Sequence, residues 1–540
     1  MEEGIFRLFP LPDTLYTKIS SAKMRSQFIF SLSICVLCPF LLIDARIFSL
    51  EMHHRFSDPM KEWSRRSRTN SQVHNWPEKG TIEYYALLAS HDHALHRRTL
   101  STLDGGGALT FSDGNATFRI SSLGFLHYTT VMLGTPGMKF LVALDTGSDL
   151  FWVPCHCVKC ASTIDSPYTY DFGLSIYDQE RSSTSKNVTC NNDLCTYYDS
   201  CNDASSLCPY YVSYVSSETS TSGILLEDVL HLRTLDNDQE FIQAYVTFGC
   251  GQVQTGSFID IAAPNGLFGL GFEKVSVPSV LFREGYAANS FSMCFGQDGK
   301  GRINFGDKGS LDQEETPFNM NSLHPTYNVN VNQVRVGTTV LDLKFTAVFD
   351  TGTSFTYLVD PSYTMLSDSF HLHVRDKRRP PDPRMPFEYC YIMSSNTSTS
   401  LIPGMSLTLD GGGQMVVYDP IIVISNPHEF VYCLAIVKSQ ELNIIGQNFM
   451  TGYRIVFDRE KLVLGWKKFD CYGIDDNSKA LGPKPVNYAS MPPLPDNYTR
   501  SNEPNRNTAP KLFASSLYIH SILDLIHSLL ISLVLAFQWL

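Results

Sequence analysis

This 540-residue chain has little positive charge and lacks the sequence signatures of several enzyme classes. Its 42 lysine and arginine residues are outnumbered by 54 aspartate and glutamate residues, and the formal net charge of −12 argues against nucleic acid as a partner. It contains no nucleophile elbow, no His-Glu-x-x-His motif and no cysteine–histidine protease context. Gly105–Gly107 lacks the helix context and following lysine of a phosphate-binding loop. The sequence therefore gives no support for serine hydrolase, zinc protease, cysteine protease or nucleotide-binding chemistry.

Helical periodicity is scarce in the central part of the chain, where short apolar runs alternate with turn residues. From about Ser122, these runs are separated by glycine, proline, asparagine and aspartate. Leu126–Val131 followed by Gly134-Thr135-Pro136 is one such strand and turn. Apolar residues make up 43% of the chain, which is enough for a sizeable core. This pattern predicts an all-β fold.

Two stretches share one pattern, in which a buried strand ends on an aspartate and a tight turn follows. They read FLVALDTGSDLFWVP at Phe140–Pro154 and TAVFDTGTSFTYL at Thr346–Leu358. In each, a glycine permits the turn, a later hydroxyl can bond the carboxylate of its own loop, and a threonine can bond across to the facing loop. The residues concerned are Asp145, Thr146, Gly147 and Ser148 in the first stretch and Asp350, Thr351, Gly352 and Thr353 in the second.

Face-to-face packing of the two turns would bring the Asp145 and Asp350 carboxylates together. Like charges so close cannot both ionise, so the pair would share one proton across the acid to neutral range. Such a pair can act as general base and general acid at once. The sequence thus predicts acid–base chemistry that needs no metal or organic cofactor.

These residues resemble the pepsin-like aspartic proteases, in particular the plant nepenthesin-like branch. That family places an apolar-apolar-glycine strand under each loop, and Leu267-Phe268-Gly269 and Ile444-Ile445-Gly446 match it. The resemblance implies two β lobes with an active-site cleft between them, and a monomeric endopeptidase that acts on peptide or protein substrates. The alternative is a catalytically silent protein on the same scaffold that binds peptides or inhibitors.

A β-hairpin is predicted at Pro209–Leu230, where alternating strands flank a polar turn. The resemblance implies that this hairpin is the flap over the cleft, with Tyr214 covering the substrate and hydrogen-bonding Trp152. Related plant enzymes have a glycine-rich tip after the tyrosine, whereas this chain has Val215–Ser222. Alternatively, Tyr214 is an ordinary aromatic residue of a sheet.

Twelve of the 14 cysteines follow the N-terminal apolar segment, an even number that favours disulfides in a secreted protein. The run from Cys155 to Cys160 superficially resembles a metal site, but oxidation and the close spacing of Cys155 and Cys157 favour disulfides. The resemblance implies the pairs Cys190–Cys208, Cys195–Cys201, Cys250–Cys471 and Cys390–Cys433. It leaves Cys155, Cys157, Cys160 and Cys294 unassigned.

The N-terminal region reads as a secretory signal followed by a basic segment. An apolar run at Phe28–Ile43 follows Lys23 and Arg25, which predicts a signal peptide over residues 1–49, with Met24 as an alternative start and a membrane anchor as the alternative reading. Residues 50–110 match a propeptide in the family, whose basic groups would pair with the catalytic carboxylates until acid loosened them. The other interpretation is a disordered linker.

The lobes are expected at residues 111–318 and 319–472, followed by a disordered stalk at 473–513 and an apolar tail at 514–540. Small residues, a spacer and an uncharged apolar end indicate a glycolipid-anchor signal, with a transmembrane helix as the competitor. We therefore expect the secretory pathway and the outer face of the plasma membrane. Candidate glycosylation sites are Asn115, Asn187, Asn396 and Asn497.

Overall fold

A computed structural model of the chain describes residues 46–66, 77–96, 126–161, 174–195, 201–214, 219–234, 241–259, 262–263, 265–296, 300–320, 325–394, 402–425, 429–440 and 442–468. Several predicted features lie outside these residues: most of the signal, the stalk, the tail, Cys471, Asn115, Asn396 and Asn497. Within the described ranges, no helix is both long enough and apolar enough to cross a membrane.

Strands dominate the described part of the chain, as the sequence predicts. Their alternation is clearest in Asn328–Val336, where every second side chain is buried over the first four residues because successive side chains of a strand point to opposite faces. The strands are β1 Phe48–His54, β2 His127–Leu133, β3 Met138–Asp145, β4 Trp152–Lys159, β5 Lys186–Asn187, β6 Pro209–Ser213, β7 Ser220–Arg233, β8 Phe241–Gln254, β9 Leu267–Gly269, β10 Ser290–Phe295, β11 Lys300–Phe305, β12 Glu314–Pro317, β13 Asn328–Val336, β14 Thr339–Leu341, β15 Phe345–Phe349, β16 Thr356–Val359, β17 Lys377–Arg379, β18 Cys390–Ile392, β19 Met405–Leu409, β20 Gln414–Val417, β21 Ile421–Ser425, β22 Phe430–Leu434, β23 Ile436–Ser439, β24 Ile444–Ile445, β25 Tyr453–Asp458 and β26 Val463–Lys468.

Helices are short and few among the described residues. The α-helices are α1 Asp58–Arg66, α2 Ile82–His96, α3 Val277–Arg283, α4 Ser362–His373 and α5 Gln447–Met450. Single turns of 3₁₀-helix occur at Gln179–Arg181, Gly256–Phe258 and Asp410–Gly412.

Three sheets carry the fold. The largest has fourteen strands in the order β12-β26-β25-β10-β11-β1-β2-β3-β9-β4-β8-β7-β5, with β6 also paired to β7. An eight-stranded sheet runs β20-β19-β13-β15-β24-β16-β23, with β14 beside β13, and a four-stranded sheet runs β17-β18-β22-β21. One predicted catalytic strand, β3, lies in the first sheet and the other, β15, in the second. The all-β, two-lobed prediction is therefore confirmed.

The segment expected to be a propeptide or a linker contributes regular structure on both sides of a gap in the described residues. Strand β1 begins at Phe48, one residue before the expected end of the signal at residue 49, and lies between β11 and β2. Helix α2 packs with the four-stranded sheet through Ile82, Tyr85 and Leu88. The described residues of this segment are thus part of the folded core and not a linker.

The disulfides differ from the predicted set in three pairs. The structure bonds Cys190 to Cys201 and Cys195 to Cys208, an interleaved pair in place of the expected nested Cys190–Cys208 and Cys195–Cys201. The reason is the backbone pairing of these two segments, an antiparallel β-bridge between Thr189 and Leu207. This pairing places Cys190 directly opposite residue 206, so that Cys190 and Cys208 occupy diagonal positions. Diagonal positions are about 7–8 Å apart, which is beyond the usual reach of a disulfide.

Cys250 bonds to Cys155 and not to Cys471, because β4 runs parallel to β8 with Val153 opposite Cys250 and this register brings Cys155 within reach. The Cα atoms of Cys155 and Cys250 are 4.9 Å apart. Cys157 bonds to Cys160, and Cys294 is also disulfide-bonded. The predicted Cys390–Cys433 bond is present, between residues directly opposite each other on β18 and β22.

Candidate active site

The first predicted turn folds back on its own aspartate. Strand β3 ends at Asp145, and the backbone N–H of Gly147 donates to Asp145 Oδ1 at 2.9 Å. The Ser148 hydroxyl donates to Asp145 Oδ2 at 2.6 Å. A Cβ at position 147 would lie 3.2 Å from Asp145 Oδ1, a tight contact that explains the glycine. Both carboxylate oxygens thus receive a hydrogen bond within the turn.

The second turn repeats this arrangement atom for atom. The Gly352 N–H donates to Asp350 Oδ1 at 2.8 Å, and the Thr353 hydroxyl donates to Asp350 Oδ2 at 2.6 Å. A Cβ at position 352 would lie 3.1 Å from Asp350 Oδ1. Because hydrogen bonds to a carboxylate fix its plane, each turn presents its carboxylate in one orientation.

The two turns meet at their threonines. Thr146 Oγ1 lies 3.4 Å from Thr351 Oγ1, and both side chains are buried. This contact joins positions 205 residues apart in sequence. It brings together the two lobes at the point where each carries its aspartate.

A glycine strand supports each turn from below, and close approach explains why the residue is glycine. Strand β9 runs parallel to β3 with Gly269 opposite Asp145, and a Cβ at position 269 would lie 2.3 Å from the Asp149 backbone. In the second lobe β24 runs parallel to β15, and a Cβ at Gly446 would lie 2.1 Å from the Phe355 carbonyl oxygen. Side chains larger than hydrogen would push the turns away from their supporting strands.

The flap prediction concerned Tyr214 and Trp152, which the structure brings into contact. The Trp152 indole N–H donates to the Tyr214 hydroxyl at 3.0 Å. Phe258 packs edge-on against both rings, with centroid distances of 4.8 Å to Trp152 and 4.9 Å to Tyr214. Burial raises the pKa of Tyr214 well above its ordinary value, and the negative charge of Asp145 adds to this effect. Tyr214 therefore remains a neutral hydroxyl near the Asp145 turn.

Three residues at the second turn were not predicted from the sequence. His91 on α2 donates from Nε2 to the Gly352 carbonyl at 3.1 Å. The next residue, Asp92, accepts hydrogen bonds from the backbone N–H groups of Ser354 and Phe355 at 2.8 Å and 3.0 Å. Burial lowers the pKa of His127 to about 3, although a hydrogen bond to the backbone of Thr351 opposes that shift. No local motif marks these contacts, because each joins segments that are far apart in sequence.

The remaining predicted site residues lie away from the two aspartates. Asn187 is exposed on β5 and accepts a hydrogen bond from Gln179 at 2.8 Å. Among the described residues, the one group with metal-ligand spacing is Cys190, Cys195 and Cys201, whose sulfurs lie within 4.8 Å of one another. Disulfide bonds engage all three sulfurs, so this group offers no thiolate to a metal.

Comparison with known proteins gives consistent matches over the same part of the chain. The family model described as xylanase inhibitor N-terminal matches residues 127–307, and the one described as xylanase inhibitor C-terminal matches residues 326–468. The chain is 49% identical over 489 residues to aspartyl protease family protein 1 of Arabidopsis thaliana, which covers 89% of this chain and 94% of that protein.

It is also 38% identical over 477 residues to aspartic proteinase-like protein 1 of the same plant, covering 85% of this chain and 87% of that protein. Among solved structures, conglutin gamma, a basic 7S globulin from lupine seeds, superposes with a TM-score of 0.51 at 20% identity. That superposition covers 65% of this chain and 93% of the globulin, and at this identity it shows a shared fold alone.

Proposed function

Because this chain belongs to the plant pepsin-like aspartic protease family, we propose that it is an aspartic endopeptidase that uses Asp145 and Asp350 to hydrolyse peptide bonds. The observation that carries the proposal is the matched pair of turns. Each aspartate accepts one hydrogen bond from a glycine N–H and one from a hydroxyl, with distances that agree within 0.1 Å between the turns. The Thr146–Thr351 contact joins the turns.

The chemistry follows from two carboxylates that share one proton. The ionised carboxylate takes a proton from a water molecule, and the oxygen of that water attacks the carbonyl carbon of the scissile peptide bond. The protonated carboxylate gives its proton to the carbonyl oxygen, which produces a tetrahedral diol. Proton transfer to the leaving nitrogen then breaks the carbon–nitrogen bond. Since the two groups titrate as a pair, neither is assigned as the first to ionise.

The geometry also supports a role for the flap in substrate binding. The Trp152–Tyr214 hydrogen bond connects the hairpin of β6 and β7 to the strand that follows the first catalytic turn. An extended peptide held under this hairpin would lie over the two aspartates. We therefore propose an extended peptide or protein segment as the substrate, bound by a monomeric enzyme.

A second candidate is a catalytically silent protein that binds peptides or inhibitors. The observation in its favour is that the descriptions of both matching family models name xylanase inhibitors. Against it stand the intact aspartates and the complete set of hydrogen bonds around them. The two candidates differ in one measurable respect, which is turnover of a peptide.

The test is incubation of the acid-treated full-length protein with a peptide library, with cleavage read by mass spectrometry. We expect cleavage that a statine-type transition-state mimic inhibits and that Asp145→Asn and Asp350→Asn abolish. Asp193→Asn, at an exposed aspartate in the disulfide-rich loop, is the matched control and should cleave like the wild type. Binding of library peptides without any cleavage would favour the silent alternative.

We further propose that the protein is made as a secreted precursor and is held on the outer face of the plasma membrane. Five described disulfides support an oxidising compartment. The N-terminal apolar run supports entry into the secretory pathway, and the small residues and apolar end of residues 514–540 support a glycolipid anchor. Release by a phospholipase specific for phosphatidylinositol tests the anchor.

A further inference from the structure

A single phenol hydroxyl connects the backbone supports of the two aspartate turns. Tyr327 directly precedes β13 in the second lobe, and its hydroxyl donates to the Leu270 carbonyl oxygen in the first lobe at 2.6 Å. This contact joins positions 57 residues apart in sequence. It is separate from the Thr146–Thr351 contact, in which side chains of the two turns meet directly.

On the first-lobe side, the hydroxyl binds the peptide group that supports Asp145. Leu270 directly follows β9, and its backbone N–H donates to the Asp145 carbonyl oxygen at 2.9 Å. The carbonyl oxygen of the same residue accepts the Tyr327 hydroxyl. Leu270 is 0% exposed, so bulk water does not offer this carbonyl another donor. The Tyr327 hydroxyl is therefore separated from the backbone of Asp145 by one residue.

On the second-lobe side, the backbone of the same tyrosine supports the strand that leads to Asp350. Strands β13 and β15 are antiparallel with Asn328 opposite Val348, which places Tyr327 opposite Phe349. The Phe349 N–H donates to the Tyr327 carbonyl oxygen at 2.9 Å, and Asp350 is the next residue of the chain. One residue thus contacts the supports of both aspartates.

Aromatic packing holds the ring that carries this hydroxyl. The centroid of the Tyr327 ring lies 4.5 Å from that of Phe272, 4.7 Å from that of Phe457 and 5.4 Å from that of Phe318. The residue is 1% exposed. Burial raises the pKa of Tyr327 above its ordinary value, so the hydroxyl keeps the proton that it donates. Packing and protonation together keep the hydroxyl on the Leu270 carbonyl.

We propose that Tyr327 is a positioning residue for the aspartate pair, and that its hydroxyl sets the spacing between the Asp145 turn and the Asp350 turn. The proposal rests on the proposed peptidase function for its effect on catalysis. Its structural half, a link between the supports of the two turns, does not depend on that function. Both carboxylates must act on one water molecule and one peptide bond, and a misplacement of about 1 Å can cost about 10²-fold in rate.

Removal of the hydroxyl should loosen the link without disturbing the rest of the ring. In Tyr327→Phe the aromatic packing remains, but the buried Leu270 carbonyl loses this donor. An unpaired buried acceptor is unfavourable, so the Leu270 peptide group would shift toward another donor. Because the N–H of that peptide group binds the Asp145 carbonyl, the shift reaches the first turn.

The first test is the steady-state kinetics of Tyr327→Phe, measured in the acid-treated full-length protein with a peptide that the wild type cleaves. We expect kcat to fall by roughly 3- to 30-fold, since the shift is a fraction of an ångström. We expect KM to change by less than about twofold, because a buried side chain does not touch the substrate. Wild-type kcat in Tyr327→Phe would overturn the positioning role.

Tyr453→Phe is the matched control. Tyr453 is 4% exposed, and its hydroxyl donates to the Val416 carbonyl oxygen at 2.8 Å and accepts the Val416 N–H at 3.0 Å. Each variant thus loses a buried phenol hydroxyl that binds backbone, and each should lower the melting temperature by about 2–4 °C. Only Tyr327→Phe should lower kcat. Equal losses of kcat in the two variants would show an effect of stability alone and overturn the proposal.

The second test needs no turnover. Amide hydrogen exchange, read by mass spectrometry on peptides that contain Leu270 or Phe349, reports whether each support has loosened. In Tyr327→Phe we expect exchange at both amides to become roughly threefold faster or more, and in Tyr453→Phe we expect no change at either. Wild-type exchange at either amide in Tyr327→Phe would overturn the link between the turns.

The two tests separate this proposal from the proposed function. If the wild type cleaves no peptide while exchange at both amides rises in Tyr327→Phe, the peptidase proposal fails and the link stands. If the wild type cleaves peptides and Tyr327→Phe does so with the same kcat, the peptidase proposal stands and the positioning role fails.

A second variant replaces Tyr327→Phe if that protein does not fold, which circular dichroism and thermal melting show. Phe272→Leu keeps the Tyr327 hydroxyl and removes the ring whose centroid lies 4.5 Å away. It should change kcat and amide exchange in the same direction and by smaller factors. Wild-type kcat and wild-type exchange in Phe272→Leu would then overturn the proposal.

Discussion

The hydrogen bond between the flap and the cleft can be tested by removing a single oxygen atom. In Tyr214→Phe the ring and its edge-on contact with Phe258 remain, while the Trp152 indole N–H loses the acceptor that lies 3.0 Å away. Trp152 is 0% exposed, so no water reaches this N–H while the hairpin is closed. A buried donor without a partner costs about 1–3 kcal/mol.

This cost applies to the closed hairpin, because an open hairpin lets water bind the indole. The ratio of closed to open hairpin should therefore fall by roughly 5- to 150-fold, and kcat/KM should fall by up to the same factor. The free energy of unfolding should change less than kcat/KM, because opening of the hairpin relieves the unpaired donor in the native state. Peptide cleavage under kcat/KM conditions and thermal melting measure the two effects.

Tyr210→Phe is the matched control for this variant. The Tyr210 hydroxyl lies 3.0 Å from Thr221 Oγ1 within the same β6–β7 hairpin, and its side chain is also buried. Its removal should cost about 0.5–1.5 kcal/mol of folding free energy while leaving kcat/KM unchanged. If Tyr214→Phe keeps the wild-type kcat/KM, or if both variants lose it equally, the hydrogen bond to Trp152 has no special part in closing the cleft.

Four other outcomes can be measured. Asp145→Asn or Asp350→Asn should each lower kcat by at least about 10²–10⁴-fold, because neither remaining carboxylate can perform both proton transfers, and near wild-type turnover would rule this out. Cleavage should be fastest in the acidic range, where the pair holds one proton, and a rate still rising through pH 8 would indicate another catalyst. Gly446→Ala, whose Cβ would lie 2.1 Å from the Phe355 oxygen, should destabilise the protein by at least about 1–3 kcal/mol in denaturant unfolding. Gly404→Ala, with no atom within 4 Å, should stay within about 0.5 kcal/mol of the wild type, and equal losses would refute the steric argument. A phosphatidylinositol-specific phospholipase should release active protein from intact cells, whereas peptides from residues 529–540 in the membrane-bound form would show a spanning helix.

The sequence predicts the geometry of the Asp145 and Asp350 turns well because their hydrogen bonds are local. Asp145, Gly147 and Ser148 lie within four positions, and the turn and its hydrogen bonds follow from those residues alone. The supporting glycines, Gly269 and Gly446, were found through the family pattern, and the structure shows the close approach that requires them.

The disulfides show that the spacing of cysteines along the chain does not by itself determine which of them pair. Cys390 and Cys433 lie directly opposite each other on two strands, so the family pattern and the register agree. In the loop of Cys190, the pairing depends on a one-position register between residues 189 and 207, which spacing does not reveal. Connectivity in a cluster of cysteines is set by such registers and cannot be counted from the chain.

The contacts of helix α2 could not be predicted for a different reason. Asp92 and the Ser354 N–H are 262 residues apart, and neither residue belongs to a motif. The helix has its apolar residues spread around its circumference, so its sequence shows no single face that would dock on a partner. Its position results from packing against a sheet that forms from the last third of the chain.

The arrangement of strands under the two turns also constrains when, during synthesis, the protein can become active. Asp350 directly follows β15, and the partner strand that supports β15 is β24, which lies late in the chain. Strand β1 likewise pairs with β11, so one of its edges stays uncovered until β11 has been synthesised. A nascent chain on the ribosome can therefore complete the first turn early, but it carries an unsupported second turn until Gly446 has emerged. Chains arrested before that residue are expected to lack the proposed peptidase activity, because the Asp350 turn has no supporting strand.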